Sequence, residues 1–190
     1  MAQLDKSIIS VQKSLALPNL SIPAYQRPYK WTQTNLNELF ADLREYQDKS
    51  AYRLGSVVLH QHGDHDQKQL DIVDGQRRTL TLLLIVLAVI EEKLPKLQRL
   101  DLKQAPTSLQ PPIKDFIERQ HFSSDISHQN LHQNFLAAKR IVSRNDFSED
   151  DVDFLLNRCQ LVIFVLNDVS EAFQFFDSQN APGRDLEPIC

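Results

Sequence analysis

Glycine is scarce in this chain, with 4 in 190 residues, so each one marks a place where the backbone has a special need. Cysteine is scarcer still. The 2 cysteines, Cys159 and Cys190, exclude a disulfide framework and a four-thiolate zinc site. Basic charge is not in excess. Lys+Arg number 21 against 25 Asp+Glu, a net charge of -4 with neutral His. The sequence pI is near 5.8, whereas domains that bind nucleic acid through a broad basic surface usually lie above ~9. Any contact with DNA is therefore expected to be local. Long apolar runs are missing too. The longest, Leu80 to Ile90, is interrupted by Thr81 and falls short of the ~20 residues that cross a bilayer. The start, Met1-Ala2-Gln3-Leu4-Asp5, has neither the basic nor the apolar region of a secretory leader. A cytoplasmic protein without membrane partners is the expectation. No Walker-type loop, dinucleotide fingerprint or Gly-x-Ser-x-Gly elbow occurs, so ordinary NTPase and hydrolase folds find no support.

What is present is ordinary globular composition, 42% hydrophobic and 24% charged, over a length that suits one domain spanning 1–190. The chain reads as α+β. Leu4, Ile8, Val11 and Leu15 recur at helical spacing and predict a helix over 4–15, stopped by Pro18. Leu20-Ser21-Ile22 reads as a short strand. Residues 32–47 read as a helix capped at Thr32 or Thr34, with Leu36, Leu39, Phe40 and Leu43 as its apolar stripe. Leu54–His60 and Gln69–Val73, joined by a polar turn with Gly63, predict a β-hairpin. An apolar helix follows over about 79–93. Residues 95–112 are polar and rich in proline and read as a connector. Helices are expected over 127–144 and 148–157, a buried strand over 160–166, and a further helix from Ala172. The stretch 95–158 as a whole reads as a mainly helical excursion from the core.

Four places carry residues suited to chemistry. The first is Ile22 to Trp31. From Pro18 to Asn35 there is no acid, but Arg27 and Lys30 accompany Tyr25, Tyr29 and Trp31. Arginine offers a planar fork for phosphate, and the aromatics can stack on a base. Judged alone, the aromatics favour burial in a core by about two to one, because that is their commoner use. The second is Asp74-Gly75-Gln76-Arg77-Arg78. Two arginines at a helix start oppose the helix dipole by roughly 0.3–1 kcal/mol each, a conflict that a bound anion removes. Asp74 can hold a metal or position an arginine, and Gln76 can orient a water. The alternative is an Asp cap, a glycine turn and two solvated arginines, and the two readings stand about even. The third is the group His60, His62, Asp64, His65 and Asp66. Its spacing is not a zinc pattern, and a solvated turn is the better reading. His121, His128 and His132 are read as surface residues. The fourth is Asn180-Ala181-Pro182-Gly183-Arg184, a helix end and turn in which Asn180 and Arg184 can flank a nucleotide.

Taken in order, Ile22-Pro-x-Tyr25-Gln26-Arg27-x-Tyr29-x-Trp31, Leu54-Gly55-Ser56-Val57-Val58, Val73-Asp74-Gly75-Gln76-x-Arg78-Thr79-Leu80-Thr81-Leu82 and Phe176-x-x-x-Asn180-x-x-Gly183-x-x-Leu186 resemble the N-terminal domain of GmrSD-type proteins. The resemblance runs from about residue 5 to 187. It implies a ParB/sulfiredoxin-like core of a small mixed sheet with helices around it. It implies binding, and possible hydrolysis, of a nucleoside triphosphate such as GTP or ATP with Mg2+, in a bacterial anti-phage system that restricts modified DNA. It also implies a following nuclease domain, no motif of which lies in this chain, and leaves self-association open. The chain is accordingly expected to be an N-terminal fragment or a short homologue.

Carried onto this sequence, the nucleotide motif falls on Asp74, Gly75, Gln76 and Arg78, with Asp74 on the metal side. The Tyr25, Gln26 and Arg27 block adjoins it. Arg77 stands where the family has a second glutamine, and Pro182 where it has an arginine. Arg77 either adds phosphate affinity or displaces a water-orienting group. Those departures keep open a non-catalytic DNA-sensing or interaction module. A ParB-like nuclease is the other alternative, disfavoured by the acidic balance.

Overall fold

The computed structural model describes residues 4–23, 28–119 and 125–179. Five strands form one mixed sheet: β1 (Leu4–Ser10), β2 (Leu20–Ser21), β3 (Tyr52–His62), β4 (Gln69–Asp74) and β5 (Cys159–Leu166). Their order is β1-β5-β3-β4-β2. The pairs β1/β5 and β3/β4 are antiparallel, while β3/β5 and β2/β4 are parallel. The helices are α1 (Val11–Leu15), α2 (Gln33–Glu45), α3 (Gln76–Glu92), α4 (Leu100–Arg119), α5 (Asp125–Val142), α6 (Glu149–Asp153) and α7 (Val169–Gln179). The α+β expectation holds, and so does the hairpin, β3 and β4. No described helix is long and apolar enough to cross a membrane.

The first segment differs from its prediction. Residues 4–10 are an edge strand, paired with β5 from Leu4↔Leu166 to Ser10↔Gln160, and only 11–15 are helical. A spacing of four fits both a helix turn and two strand periods, so Leu4 and Ile8 share one face in either conformation. Both stay largely exposed, at 50% and 41%, whereas Val11 and Leu15 are buried. Ser10 ends the strand and caps α1, its Oγ accepting from the Lys13 N–H at 3.2 Å.

The proline-rich connector also differs. Residues 100–119 form α4, with Pro106, Pro111 and Pro112 inside it. Each interior proline costs about 3 kcal/mol. Against this, Leu102, Leu109, Ile113 and Phe116 form one buried stripe. Burying each such side chain contributes about 1.5–3 kcal/mol, so the two effects are comparable and packing tips the balance toward helix.

The main core lies on one face of the sheet. There α3 supplies Leu82, Ile85, Val86 and Val89 and packs against α4 and α5. The chain widens into a π-helical turn over 154–158, which buries the successive Phe154, Leu155 and Leu156 before β5 begins. A second, small cluster of Val58, Val73 and Leu166 with Phe164 lies apart from this core, and α7 packs on β3, β4 and β5. The sheet thus carries packing on both faces.

Candidate functional site

The site begins where β4 becomes α3. Asp74 ends the strand, and Gly75 is the N-cap of the helix at φ 95 and ψ 13. That left-handed conformation favours glycine. Space is tight there as well, since a Cβ on Gly75 would lie 3.0 Å from Val57 Cγ2 and 3.1 Å from the Ser56 carbonyl oxygen. The cap is therefore Gly75 and not Asp74. No side chain caps the helix, its first turn holds no acid, and its first backbone bond is Thr79 N–H to the Gly75 carbonyl at 2.9 Å.

The two arginines have different fates. Arg77 is exposed, while Arg78 turns back under β3 and is partly buried. Its Nη1 donates to the Ser56 carbonyl at 3.2 Å. Its guanidinium fills the space over Gly55, where a Cβ would come within 2.5 Å of Cζ. Gly55 itself sits at φ 139, next to a register shift between Arg53 and Gly55 in the β3/β5 ladder. A bulge there bends the strand and brings its backbone under the arginine.

Charge in this corner is balanced by distance. Burial pushes the Asp74 carboxyl above its usual range, opposed by the Gly75 N–H and then by Arg78 and Arg77. Burial likewise pulls the Arg78 guanidinium down, opposed by Asp74. The two groups feel each other, yet among the described residues no carboxylate forms a contact ion pair with Arg78. A cation held this way retains donor capacity for an anion.

Gln76 is a clamp. Its Nε2 donates to the Ile72 carbonyl at 3.0 Å and the Val73 carbonyl at 2.8 Å, tying the helix start to β4. Only its Oε1 is then left to orient a water. Asp74 supplies a single carboxylate, which suits Mg2+ when phosphate and water complete the shell.

Tyr29 takes the burial that its residue type favoured over base stacking. It is 2% exposed, and its hydroxyl meets Thr81 Oγ1 at 2.8 Å and Asn134 Nδ2 at 2.9 Å. Thr81 Oγ1 also lies 2.7 Å from the Arg77 carbonyl, to which it donates. Tyr29 thereby fastens its segment to α3 one turn beyond the site. Trp31 packs against the main core. Tyr25, Gln26, Arg27, Asn180 and Arg184 lie outside the described residues.

The structure thus gathers Asp74, Gly75, Gln76 and Arg78 at one turn, with Arg77 exposed beside them. Charge and motif reading did not reveal that Gly55 and Ser56 seat Arg78, although the strand block containing them was already part of the family pattern. On the hairpin, His60 and His62 meet Asp71 of β4, a residue that sequence spacing did not single out. His128 and His132 are exposed on α5, as expected.

A mixed sheet whose strand ends at Asp74 and passes through the left-handed Gly75 into a helix that bears Gln76 and Arg78 defines the class. The chain matches the family described as GmrSD restriction endonuclease, N-terminal domain, over residues 6–189. It belongs to that family. No curated protein matches it.

Proposed function

We propose that this restriction-endonuclease domain binds a nucleoside triphosphate with Mg2+ at the β4–α3 turn, on a ParB/sulfiredoxin-like core. The observation that carries the reading is Arg78, partly buried beside Asp74 and held by a backbone carbonyl without a contact carboxylate among the described residues. Such a guanidinium suits phosphate oxygens. The uncapped start of α3 adds backbone N–H groups and the positive end of its dipole. Arg77 adds a screened, outer charge. Tyr25, Gln26, Arg27, Asn180 and Arg184 complete the nucleotide site in this reading.

Asp74 would hold Mg2+, which would neutralise charge on the phosphates. Arg78, with Arg27, stabilises charge that develops on the transferred phosphoryl group. Gln76 orients the attacking water through Oε1. With its amide committed to backbone and Arg77 in place of a second glutamine, hydrolysis is slow and binding is the dominant activity. In the whole protein the nucleotide state governs restriction of modified DNA by a following nuclease domain, in the cytoplasm.

Calorimetry of the folded protein with GTP and with ATP, each with and without Mg2+, tests this. Magnesium-dependent saturable binding is expected, lost in Arg78→Ala. A folded protein that binds neither nucleotide overturns the reading. Retention of DNA binding in an Arg27→Ala/Arg78→Ala variant without nucleotide affinity favours the non-catalytic module instead.

A further inference from the structure

The hairpin carries a second constellation with chemistry of its own. His60 and His62 are two apart on β3 and so project from one face. Asp71 pairs with His60 across the β3/β4 ladder, and Ser21 pairs with Asp71 across the β4/β2 ladder. The sheet therefore sets His60, Asp71 and Ser21 in one row over three strands, with His62 beside it. Ligand atoms of His60, His62 and Asp71 all lie within 4.8 Å of one another. His62 Nε2 is 2.8 Å from Asp71 Oδ2, and the two imidazole rings stack with centroids 5.1 Å apart at 24°. Asp71 Oδ1 accepts from Ser21 Oγ at 2.5 Å.

We propose that His60, His62 and Asp71 form a three-ligand site for a zinc-class transition metal, with a fourth position open to water. The donor set is two imidazoles and a carboxylate, which suits Zn2+ and its neighbours and not Mg2+. Bonds of ~2.0–2.1 Å around a tetrahedral ion place ligand atoms roughly 3.4 Å apart. Ser21 plays the part of an outer-shell partner, fixing the carboxylate by its second oxygen. The His62–Asp71 hydrogen bond engages two of the three groups, and the sheet presents the His60 imidazole beside them as a third ligand. The His62 side chain is 43% exposed and Asp71 19%, so an ion can enter from solvent. A metal here would fasten β3 to β4, and because it binds only the folded chain it would stabilise the fold by linkage.

The test uses the full chain, stripped with a chelator and titrated with Co2+ and then Zn2+. One ion per chain is expected, with the visible spectrum of tetrahedral cobalt and a thermal midpoint that rises with Zn2+. His60→Ala, His62→Ala and Asp71→Asn each abolish the cobalt spectrum while circular dichroism reports a folded chain. Ser21→Ala weakens binding about 10-fold. Asp74→Asn and His65→Ala leave it intact, which separates this site from the nucleotide turn and from the hairpin loop. No cobalt spectrum in the wild-type chain, or a spectrum that survives His60→Ala, overturns the proposal.

Discussion

Arg78 occupies the space that a side chain at position 55 would need, with Cζ 2.5 Å from where a Cβ on Gly55 would stand. Two of the sequence blocks are thereby one structural feature. The glycine of the strand exists for the arginine of the helix. Gly55→Ala is expected to expel the guanidinium and to strain a backbone held at φ 139, costing about 1–3 kcal/mol of stability. Urea unfolding measures that cost. The same variant loses Mg2+-dependent nucleotide binding, seen by calorimetry at a temperature where it remains folded. Arg78→Lys keeps the charge but not the fork, and is expected to weaken nucleotide binding by at least about 10-fold. Equal affinity in Arg78→Lys would show that the planar fork is not used.

Tyr29 is a structural tie and its removal separates stability from binding. Its hydroxyl lies within reach of both Thr81 and Asn134, all three buried. Burial also pushes the phenol pKa upward, so the group stays protonated at any ordinary pH. Tyr29→Phe strands Asn134 Nδ2 with one partner fewer, since its other contact is the Trp31 carbonyl at 3.0 Å. A loss of about 1–3 kcal/mol is expected in denaturant unfolding. Nucleotide affinity, measured below the transition, stays within about 2-fold of wild type because the hydroxyl touches no part of the turn except through Thr81. A 10-fold loss of affinity in a folded Tyr29→Phe chain would place the hydroxyl in the site itself.

The parts of this fold that sequence reveals are those in which one period prevails. The apolar runs at Val57–Leu59 and Ile72–Val73, broken by a polar turn at Gly63, leave a hairpin as the natural solution. The apolar run of α3 leaves a buried helix. Leu4 and Ile8 fail as guides because a spacing of four serves strand and helix alike, and only pairing with β5 decides. In α4 the local rule, that proline breaks helices, yields to a buried stripe from Leu102 to Phe116 whose partners lie far away in sequence. The Asp74–Arg78 turn is legible because glycine and clustered charge are local signals. The seat of Arg78 on Gly55 and Ser56 is not, since it depends on how β3 lies beside β4. Asp71 is hidden for the same reason, being brought to His60 by register and not by spacing.

Arg77 opposes the dipole of α3 and is exposed, so its removal should act with opposite signs on two observables. Arg77→Gln relieves the unfavourable charge and is expected to stabilise the free protein by about 0.3–1 kcal/mol at low salt. The same change removes an outer phosphate contact and weakens nucleotide binding by about 2- to 5-fold, with most of the difference gone in high salt. Thermal midpoints and calorimetry at two ionic strengths read both effects. If Arg77→Gln leaves affinity unchanged at low salt, Arg77 plays no part in binding.

Asp74 carries its charge at a cost, and the sign of that cost fixes a pH dependence. Burial raises its folded pKa above the ordinary carboxylate value near ~3.9. A carboxyl raised in this way favours the folded state when protonated. Its contribution is therefore present below the unfolded value and is lost as pH climbs through the folded one. Asp74→Asn removes the charge while keeping an oxygen that can accept from the Gly75 N–H. The free variant is expected to match wild type at pH values under ~3.9 and to become the more stable of the two above the raised pKa. Magnesium changes the balance, since a cation beside the carboxylate stabilises its charged form. Wild type with Mg2+ and nucleotide should then gain a thermal shift that Asp74→Asn does not. Thermal scans from acid to neutral pH, with and without ligand, measure both. A variant less stable than wild type throughout the neutral range would mean that Asp74 serves chiefly to hold the fold, and that the metal side of the site must be sought elsewhere.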